Sequence, residues 1–292
     1  MIKIKKNNLI IGTAQLYSPY GITNFLDKKS KKKSFTILEA AIDQEIYSFD
    51  TAPGYNSEKI LGEFITAHGL EKKIVIYNKI QSFAEQKKKK IFILDSIEKS
   101  IKLLGCKINT LFLHDTKNIQ FYCKNFNFFD SIKKNFEISN LGISVYDQKH
   151  LNIQNKIKKQ TVFQVPISVV DQRFKNTNLI KKNIVARSIF LQGLLINDKI
   201  KTKGVSKKII NAHKLYHQYL KSVKIDPLKL SLSYVHNLKK INKFVIGVET
   251  PEQLKKIVNC KLYQTIDTKT LFHVRSLFQS NLYNPRSWRV EK

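Results

Sequence analysis

The sequence predicts a single (β/α)8 barrel, an α/β fold of the TIM-barrel type, on three observations. Eight short runs rich in β-branched and aromatic residues alternate with longer segments whose apolar residues have helical spacing, as in a buried parallel sheet covered by helices. The chain has 292 residues, a length at which parallel barrels commonly form one domain. No Gly-rich dinucleotide fingerprint follows any predicted strand, which disfavours an open doubly wound sheet. We therefore expect one domain over residues 1–292, with a C-terminal extension from about residue 262.

Local start and stop signals justify the elements in chain order. Ser57 is expected to cap the helix after the second strand, and Gly105 is expected to end the helix before the fourth. A further helix is expected over 150–157, and Thr250 followed by Pro251 marks the start of the helix after the last strand. The eight predicted strands are 9–14, 47–50, 73–79, 110–114, 138–144, 161–166, 183–190 and 243–247.

The chain is strongly basic, with a formal net charge of +30 from 52 Lys and Arg against 22 Asp and Glu. A charge of this size favours phosphate-rich partners such as nucleic acid or an anionic membrane. However, only five of the basic residues are Arg, the side chain on which base recognition depends most. We interpret the charge as a lysine-rich, solvated surface and predict no specific nucleic-acid partner and no membrane association. Electrostatic steering of an anionic substrate stays as an alternative role for the charge.

Cysteine usage and the N-terminus predict a cytoplasmic protein. Cys106, Cys123 and Cys260 lack metal-ligand or redox spacing, which is typical of a reducing compartment. The apolar run 9–11 is interrupted by a Gly-Thr pair and has no small-residue cleavage site, so it is predicted to be a strand rather than a signal peptide. No stretch approaches the roughly 20 apolar residues of a membrane span. We expect no metal site.

Four ionisable residues are predicted to meet at one end of the barrel. In such barrels the active-site residues lie at the C-terminal ends of successive strands. Those positions hold Asp50, Lys79 and His114 after the second, third and fourth strands, and Tyr55 follows in the loop after the second. A phenol with a pKa of about 10 is a weak acid at neutral pH. A neighbouring ammonium lowers that pKa, and a carboxylate holds the ammonium in place. The combination suits proton transfer to or from a carbonyl or alcohol oxygen.

These residues resemble the aldo/keto reductase superfamily. The matching motifs, in the family's order and approximate spacing, are Asp50-Thr51-Ala52 with Tyr55, Ser57-Glu58, Leu61-Gly62, Lys79 and Leu113-His114, and the resemblance extends from Gly12-Thr13 to about Leu254. It implies a barrel that binds a nicotinamide cofactor and reduces carbonyls, or oxidises alcohols, without a metal. It further implies Tyr55 as the general acid, Lys79 and Asp50 as the pair that tunes it, and His114 as the group that orients the substrate carbonyl.

The same resemblance implies the residues that bind the cofactor. Ser144 and Gln164 match positions that hold the nicotinamide carboxamide, and 187–195 resembles the family's loop beside the diphosphate. The segment 245–254 resembles the adenosine-phosphate site at the start of the last helix, where free backbone N–H groups suit a phosphate. The implied set is Gly12, Thr13, Ser144, Gln164, Arg187, Ser188, Gly193, Gly247, Glu249, Thr250 and Gln253.

Three residues depart from the family pattern and bear on the cofactor. Val145 stands where Asn is common, which removes one hydrogen-bond partner of the carboxamide. Arg187 stands where an aromatic residue that stacks on nicotinamide is often found. Glu249 stands where a cation favours the 2′-phosphate of NADP, and its carboxylate can instead accept a hydrogen bond from a ribose 2′-hydroxyl. We expect NADP or NAD as the cofactor, with NADH accepted at least as readily as NADPH.

The predicted function is NAD(P)H-dependent hydride transfer to a small-molecule carbonyl substrate, with Tyr55 as the general acid. The segments 164–174 and 187–195 most resemble bacterial oxidoreductases of sugar or surface-polysaccharide metabolism, so we expect a sugar-type aldehyde or ketone. Two alternatives stay open: a barrel that senses NAD(P)H without useful turnover, and a nucleic-acid binder. The segment 284–288 is expected either to pack over the pocket or to cap the barrel. The sequence leaves the oligomeric state and the physiological direction open.

Overall fold

Eight parallel strands close into a barrel in chain order, with β8 hydrogen-bonded back to β1. The computed structural model describes residues 2–17, 21–23, 30–153, 161–175, 183–238, 241 and 243–288. The strands are β1 Leu9–Gly12, β2 Ser48–Asp50, β3 Val75–Ile80, β4 Thr110–Leu113, β5 Asn140–Ser144, β6 Val162–Pro166, β7 Asn183–Arg187 and β8 Lys243–Gly247. The predicted (β/α)8 fold is confirmed.

Helices follow the strands and cover the outside of the barrel. Among the described residues the α-helices are α1 Ala14–Tyr17, α2 Lys31–Asp43, α3 Glu58–Ala67, α4 Lys89–Leu104, α5 Ile119–Lys124, α6 Phe126–Asn135, α7 Lys207–Ser222, α8 Pro227–His236, α9 Pro251–Asn259 and α10 Thr268–Ser276. Short 3-10 helices span Lys6–Asn8, Pro53–Tyr55, Thr116–Asn118, Gln148–Asn152, Ser280–Tyr283 and Pro285–Trp288. The C-terminal extension expected from about residue 262 is therefore α10 and the two 3-10 helices that follow it.

Sequence signals set several helix ends. The hydroxyl of Ser30 caps α2 by accepting a hydrogen bond from the backbone N–H of Lys33. Gly105 ends α4 in the left-handed conformation, with φ of 64°. Gly62 lets α3 approach α4 closely, because a Cβ at this position would lie 2.0 Å from the carbonyl oxygen of Leu103. These features set where α2 begins, where α4 ends and how closely α3 packs on α4.

The structure corrects four details of the sequence prediction. Ser57 occupies the position before α3 but makes no capping hydrogen bond with its side chain. The first strand ends at Gly12 rather than residue 14, because the chain turns directly into α1. The seventh strand ends at Arg187 rather than residue 190, because Ser188 has a φ of 60°. The helix expected over 150–157 is a 3-10 helix over its described part, and residues 154–157 lie outside the described residues.

The barrel interior consists of an apolar layer with a polar layer above it. The apolar layer is Ile10, Tyr77, Phe112, Val162 and Val185. Side chains two residues further along a strand face the same side. The next inward positions toward the C-terminal ends are therefore Gly12, Lys79, His114, Gln164 and Arg187, and Asp50 joins them as the ladder partner of Gly12. The fold thus places the predicted site residues directly above this apolar layer.

Candidate active site

A buried ion pair lies at the centre of the polar layer. The Nζ of Lys79 is 2.5 Å from Oδ1 of Asp50, and both side chains are at most 5% exposed. Lys79 also donates a hydrogen bond to the carbonyl oxygen of Thr51, at 3.0 Å. Below the pair, burial and then the nearby charge of Asp50 raise the pKa of the Tyr77 phenol. A buried pair persists only when its remaining donors and acceptors are also satisfied, and Thr51 helps to meet that requirement.

Tyr55 and His114 complete the group of four predicted catalytic residues. Tyr55 closes the 3-10 turn that begins at Pro53, and the left-handed Asn56 (φ of 56°) redirects the chain after it. The Nζ of Lys79 lies 4.9 Å from the centroid of the Tyr55 ring. The Tyr55 and His114 rings are edge to face, with centroids 6.3 Å apart. We call Asp50, Tyr55, Lys79 and His114 the proton-donor half of the site.

Three hydroxyl groups support this half through contacts that the sequence analysis did not predict. The Ser57 hydroxyl bonds the hydroxyls of Thr13 and Thr51, at 2.8 and 3.2 Å. Thr13, expected among the cofactor residues, is fully buried, and its hydroxyl also donates to the carbonyl oxygen of Asp50. A Ser before a helix normally predicts a cap. The tertiary structure shows that the Ser57 hydroxyl instead bonds Thr13, which follows β1, and Thr51, which follows Asp50.

A second buried contact fixes the backbone of Lys79. The carboxylate of Glu58, at the start of α3, accepts a hydrogen bond of 2.9 Å from Nδ2 of Asn78. The other end of the same amide accepts a hydrogen bond of 2.7 Å from the backbone N–H of Lys79. The side chains of Glu58 and Asn78 are both buried. The strand that presents Lys79 is therefore held from the helix layer as well as from within the barrel.

The ends of β5, β6 and β7 form the opposite side of the polar layer. Ser144 and Gln164 are ladder partners and are buried. Gln164 reaches across the barrel, and its Nε2 donates a hydrogen bond of 2.6 Å to Oδ2 of Asp50. Val145 is buried in the main core, so its position contributes no polar side chain to the site. We call Ser144, Gln164, Arg187 and Glu249 the cofactor half.

Arg187 has an aromatic partner within the chain. Its guanidinium carbon lies 4.1 Å from the centroid of the Tyr146 ring, a distance typical of a cation–π contact. Its nitrogen atoms donate to the hydroxyl of Ser188 at 3.2 Å and to the carbonyl oxygen of Val145 at 3.3 Å. Where the family often has an aromatic side chain, this chain has a stacked arginine–tyrosine pair.

The loop after β7 adopts an unusual backbone and is held from two sides. Leu191, Gln192 and Gly193 all have positive φ, at 48°, 56° and 85°, a conformation that costs most residues energy. Thr23 donates a hydrogen bond of 3.0 Å to the carbonyl oxygen of Gln192. A Cβ on Gly193 would lie 2.1 Å from that same hydroxyl. Contacts with the first part of the chain therefore keep the loop in place.

Two histidines of α7 hold the other side of this loop. The Nε2 atoms of His213 and His217 donate to the carbonyl oxygens of Asn197 and Leu194, at 2.8 and 3.1 Å. Burial is the largest cause that lowers the pKa of each imidazole. Asp198 acts in the opposite direction on both pKa values. The loop is thus attached to the helix layer by neutral histidines.

The start of α9 has the capping pattern that the sequence predicts. The Thr250 hydroxyl accepts a hydrogen bond from the backbone N–H of Gln253, and Oε1 of Gln253 accepts one from the backbone N–H of Glu249. Oε1 of Glu249 accepts a hydrogen bond of 3.4 Å from Nε2 of Gln15. Gln15 also packs on Gly247, where a Cβ would lie 2.0 Å from its Oε1. The carboxylate at position 249 is therefore contacted by Gln15 of α1.

Comparison with known proteins identifies the family. The sequence profile of the Aldo/keto reductase family matches residues 8–275. The chain belongs to the aldo/keto reductase family. It is therefore an oxidoreductase of a family that uses NAD(P)H and acts on small-molecule carbonyl substrates.

Solved aldo/keto reductases share the fold at low sequence identity. An aldo-keto reductase from Bacillus halodurans, in its holo form, is 18% identical with a TM-score of 0.74, over 96% of this chain and 97% of that one. A glycerol dehydrogenase from Gluconobacter oxydans is 16% identical with a TM-score of 0.67, over 97% of this chain and 94% of that one. No curated protein sequence matches the chain. Identities this low support a likeness of fold alone.

The tail of this aldo/keto reductase lies at the same end of the barrel as the site. Trp288 is buried, and its carbonyl oxygen accepts a hydrogen bond of 2.8 Å from the backbone N–H of Ser206, at the start of α7. Tyr283 lies beneath the guanidinium of Arg173, which follows β6. Because loops after strands and the starts of the following helices lie at the C-terminal end of a barrel, these two contacts place the tail at that end.

A polar cleft opens on this rim between the loops after β5 and β6 and helix α10. Its volume is about 480 Å³, and it is lined by Asp147, Gln148, Gln172, Arg173 and Arg275. Arg173 is braced by Asp171 through two hydrogen bonds of 2.8 and 2.7 Å. A third hydrogen bond runs from Arg173 to the carbonyl oxygen of Tyr146. Tyr146 therefore contacts both Arg173, which lines the cleft, and Arg187 of the cofactor half.

Metal sites and membrane spans have no candidate in the part of the chain that the structure describes. There, no three His, Cys, Asp or Glu side chains are grouped so that they could bind a metal ion. None of the described helices combines the length and apolar character that a membrane span needs. The three cysteines are free thiols, and burial raises the pKa of Cys106 to about 11. The cytoplasmic location stays a prediction.

Proposed function

We propose that this aldo/keto reductase transfers hydride from NAD(P)H to a carbonyl carbon while Tyr55 donates a proton to the carbonyl oxygen. The observation that carries the proposal is the position of Lys79. Its Nζ lies between Oδ1 of Asp50, at 2.5 Å, and the Tyr55 ring, at 4.9 Å. An ammonium beside a phenol ring stabilises the phenolate, so the phenol loses its proton more readily.

Each residue of the proton-donor half has a distinct task in this proposal. Bound NAD(P)H would supply the hydride from C4 of its nicotinamide. Tyr55 gives its proton to the substrate oxygen, so that the carbonyl becomes an alcohol, and the phenolate recovers a proton from solvent. Asp50 keeps Lys79 in place and charged, and His114, edge to face with Tyr55, orients the carbonyl oxygen. Reversal of the same proton transfer serves alcohol oxidation.

The residues of the cofactor half fit a nicotinamide cofactor. Oε1 of Gln164 is buried and accepts no hydrogen bond among the described residues, which suits a carboxamide N–H. The start of α9 presents the N-terminus of a helix capped by Thr250, a location that suits a phosphate group. Gly12 and Gly247 are ladder partners at the ends of β1 and β8. Gln164, Ser144, Thr250 and Gln253 are thus the residues that we propose to hold the cofactor.

Glu249 bears on the choice between the two cofactors. A carboxylate accepts a hydrogen bond from a ribose 2′-hydroxyl but repels a 2′-phosphate. The contact with Gln15 holds the carboxylate of Glu249 beside the start of α9. We propose that NADH is accepted at least as readily as NADPH.

A sugar-type aldehyde or ketone is the substrate class that we propose. The rim cleft is lined by amide, carboxylate and guanidinium groups, which recognise hydroxyl-rich molecules by hydrogen bonding. The family assignment supports a small-molecule carbonyl substrate in general, and the cleft favours a polar one.

A second candidate function follows from the departures in the cofactor half. Val145 supplies no side-chain hydrogen bond, and Arg187 is already stacked on Tyr146. A barrel with these features could bind NAD(P)H as a sensor without useful turnover. The intact proton-donor half favours the enzyme, because a sensor has no need of a buried lysine beside a phenol.

Substitution of Tyr55 by Phe tests the proposal. Removal of the phenol oxygen should lower turnover of a reactive aldehyde by about 10²-fold or more, as expected for loss of a general acid. Cofactor affinity, measured by titration of NAD(P)H fluorescence, should stay nearly constant because the ring and Lys79 remain. Unchanged turnover would reject Tyr55 as the proton donor.

A further inference from the structure

Gln164 directly joins the two halves of the site by a side-chain hydrogen bond. It lies in β6, is fully buried, and stands beside Ser144 in the ladder. Its Nε2 donates to Oδ2 of Asp50 at 2.6 Å, across 114 residues of sequence. Asp50 therefore has Lys79 on one oxygen and Gln164 on the other. The carboxylate is shared between a cation and an amide.

The orientation of the Gln164 amide follows from chemistry. An ionised carboxylate only accepts hydrogen bonds, so the NH2 end of the amide must face Asp50. The oxygen end then faces away from Asp50. That oxygen is buried and accepts no hydrogen bond from any described residue. A buried acceptor without a partner is uncommon because it loses its hydration without compensation. The structure thus shows one buried acceptor for which the described residues supply no donor.

We propose that Gln164 is a positioning residue that transmits occupancy of the cofactor half to the Asp50–Lys79 pair; this inference rests on the proposed function. An N–H donor at Oε1, such as a carboxamide, polarises the amide and strengthens the hydrogen bond from Nε2, because linked hydrogen bonds are cooperative. More of the negative charge of Asp50 then lies on Oδ2, which faces Gln164, and less lies on Oδ1, which faces Lys79. The Lys79 ammonium is correspondingly less neutralised and better stabilises a phenolate at Tyr55.

This role differs from simple anchoring of a cofactor. An anchoring residue changes the affinity for the cofactor, and saturation with cofactor restores full turnover. A positioning residue also changes kcat at saturation, because the proton-donor half is altered even when the cofactor is bound. A purely structural residue lowers stability and leaves both the affinity and the pH profile unchanged. The three roles therefore give different combinations of measurements.

Two substitutions of Gln164 separate these roles. Gln164→Met has similar volume but neither donates nor accepts, so we expect about a tenfold weaker affinity for NAD(P)H and about a tenfold lower kcat at saturating cofactor, the loss typical of a hydrogen bond to a charged group. Gln164→Glu keeps the acceptor but places a second carboxyl group 2.6 Å from Asp50. Two carboxylates at this distance cannot both ionise. A protonated Glu can donate to Asp50, so kcat should be highest at low pH and should fall as pH rises through the raised pKa of the introduced carboxyl group.

A matched control lies at the opposite end of the barrel. The Oδ1 of Asn109 accepts a hydrogen bond of 2.7 Å from the backbone N–H of Ile76, before β4 begins. Asn109→Ala loses one side-chain hydrogen bond far from the site, and its kcat and cofactor affinity should match the wild type. Denaturant unfolding of the three variants corrects for any general loss of stability.

The expected result is a loss of both affinity and kcat in Gln164→Met, with recovery at low pH in Gln164→Glu alone. A normal kcat for Gln164→Met at saturating cofactor would overturn the inference, as would identical pH profiles of the two variants. Failure of the proposed function has a different signature. In that case wild-type turnover itself is absent or does not depend on Tyr55, whereas failure of this inference leaves the Tyr55 dependence intact.

Discussion

The two halves of the site are built in different ways. In the proton-donor half, Asp50, Lys79 and His114 lie at the ends of three consecutive strands and face inward above the apolar layer. The strands therefore fix their positions. In the cofactor half, Arg187 ends β7 but packs on Tyr146 of the loop after β5, and Glu249 lies between β8 and α9 and contacts Gln15 of α1. Strand ends in a closed barrel have little freedom, whereas loops tolerate substitution. Of the three departures from the family pattern, Val145 and Glu249 follow strands, whereas Arg187 is the last residue of β7.

The largest effect is expected when the cation is removed from the proton-donor half. Lys79→Met leaves the buried carboxylate of Asp50 without its cation, so the free energy of unfolding should fall by about 3–5 kcal/mol. Turnover should fall by more than about 10²-fold because the phenolate loses its stabilising charge. Denaturant unfolding and steady-state assays measure the two effects.

A double substitution separates the structural loss from the catalytic one. Asp50→Asn in the Lys79→Met background removes the unpaired charge and should recover most of the lost stability. Turnover should stay low, because the ammonium is still absent. If Lys79→Met were as stable as the wild type, the ion pair would not have the structural role that its burial implies.

The next largest effect concerns cofactor choice. Glu249→Lys reverses the charge beside the start of α9, and the affinity for NADPH relative to NADH should increase by about tenfold or more, equivalent to about 1.4 kcal/mol. Titration of both cofactors measures the ratio. Glu252→Lys makes the same change of charge at an exposed position in the first turn of α9 and should alter the ratio far less. A hundredfold preference of the wild type for NADPH would contradict the role given to Glu249.

The smallest expected effect is a pH dependence of the loop after β7. The pKa values of His213 and His217 are lowered in the folded state from a reference of 6.5. Below that reference the unfolded chain binds more protons than the folded chain, so the stability that the neutral rings contribute is present above about pH 6.5 and is lost as pH falls through the folded pKa values. His213→Gln retains an N–H donor for Asn197 and should flatten the dependence. Denaturant midpoints measured across this pH range test the prediction. If the midpoint of His213→Gln depends on pH as strongly as that of the wild type, His213 does not cause the dependence.

The sequence predicts those parts of the molecule that depend on local pattern and strand order. All eight strands lie where apolar runs indicate, and Asp50, Lys79 and His114 converge because parallel strands carry their C-terminal ends to one rim. The contact between Gln164 and Asp50 is not predictable in this way, because it joins residues 114 positions apart by side-chain geometry alone.

Other contacts also required the tertiary structure. The stacking of Arg187 on Tyr146 unites the ends of two strands that are not neighbours in the barrel. Ser57 illustrates a different limit, since its position predicts a cap while its hydroxyl bonds Thr13 and Thr51 instead. A propensity describes what a residue can do locally, and a buried network decides between the options.

Single-turnover hydride transfer tests the central claim most directly. Wild type and Tyr55→Phe, each saturated with NAD(P)H, are mixed with a reactive aldehyde, and the loss of reduced cofactor is followed by absorbance. The proton-donor half predicts one equivalent of oxidation by the wild type, and a rate lower by about 10²-fold or more in Tyr55→Phe with the cofactor still bound. Equal rates in the two proteins, or binding without oxidation by either, would contradict it.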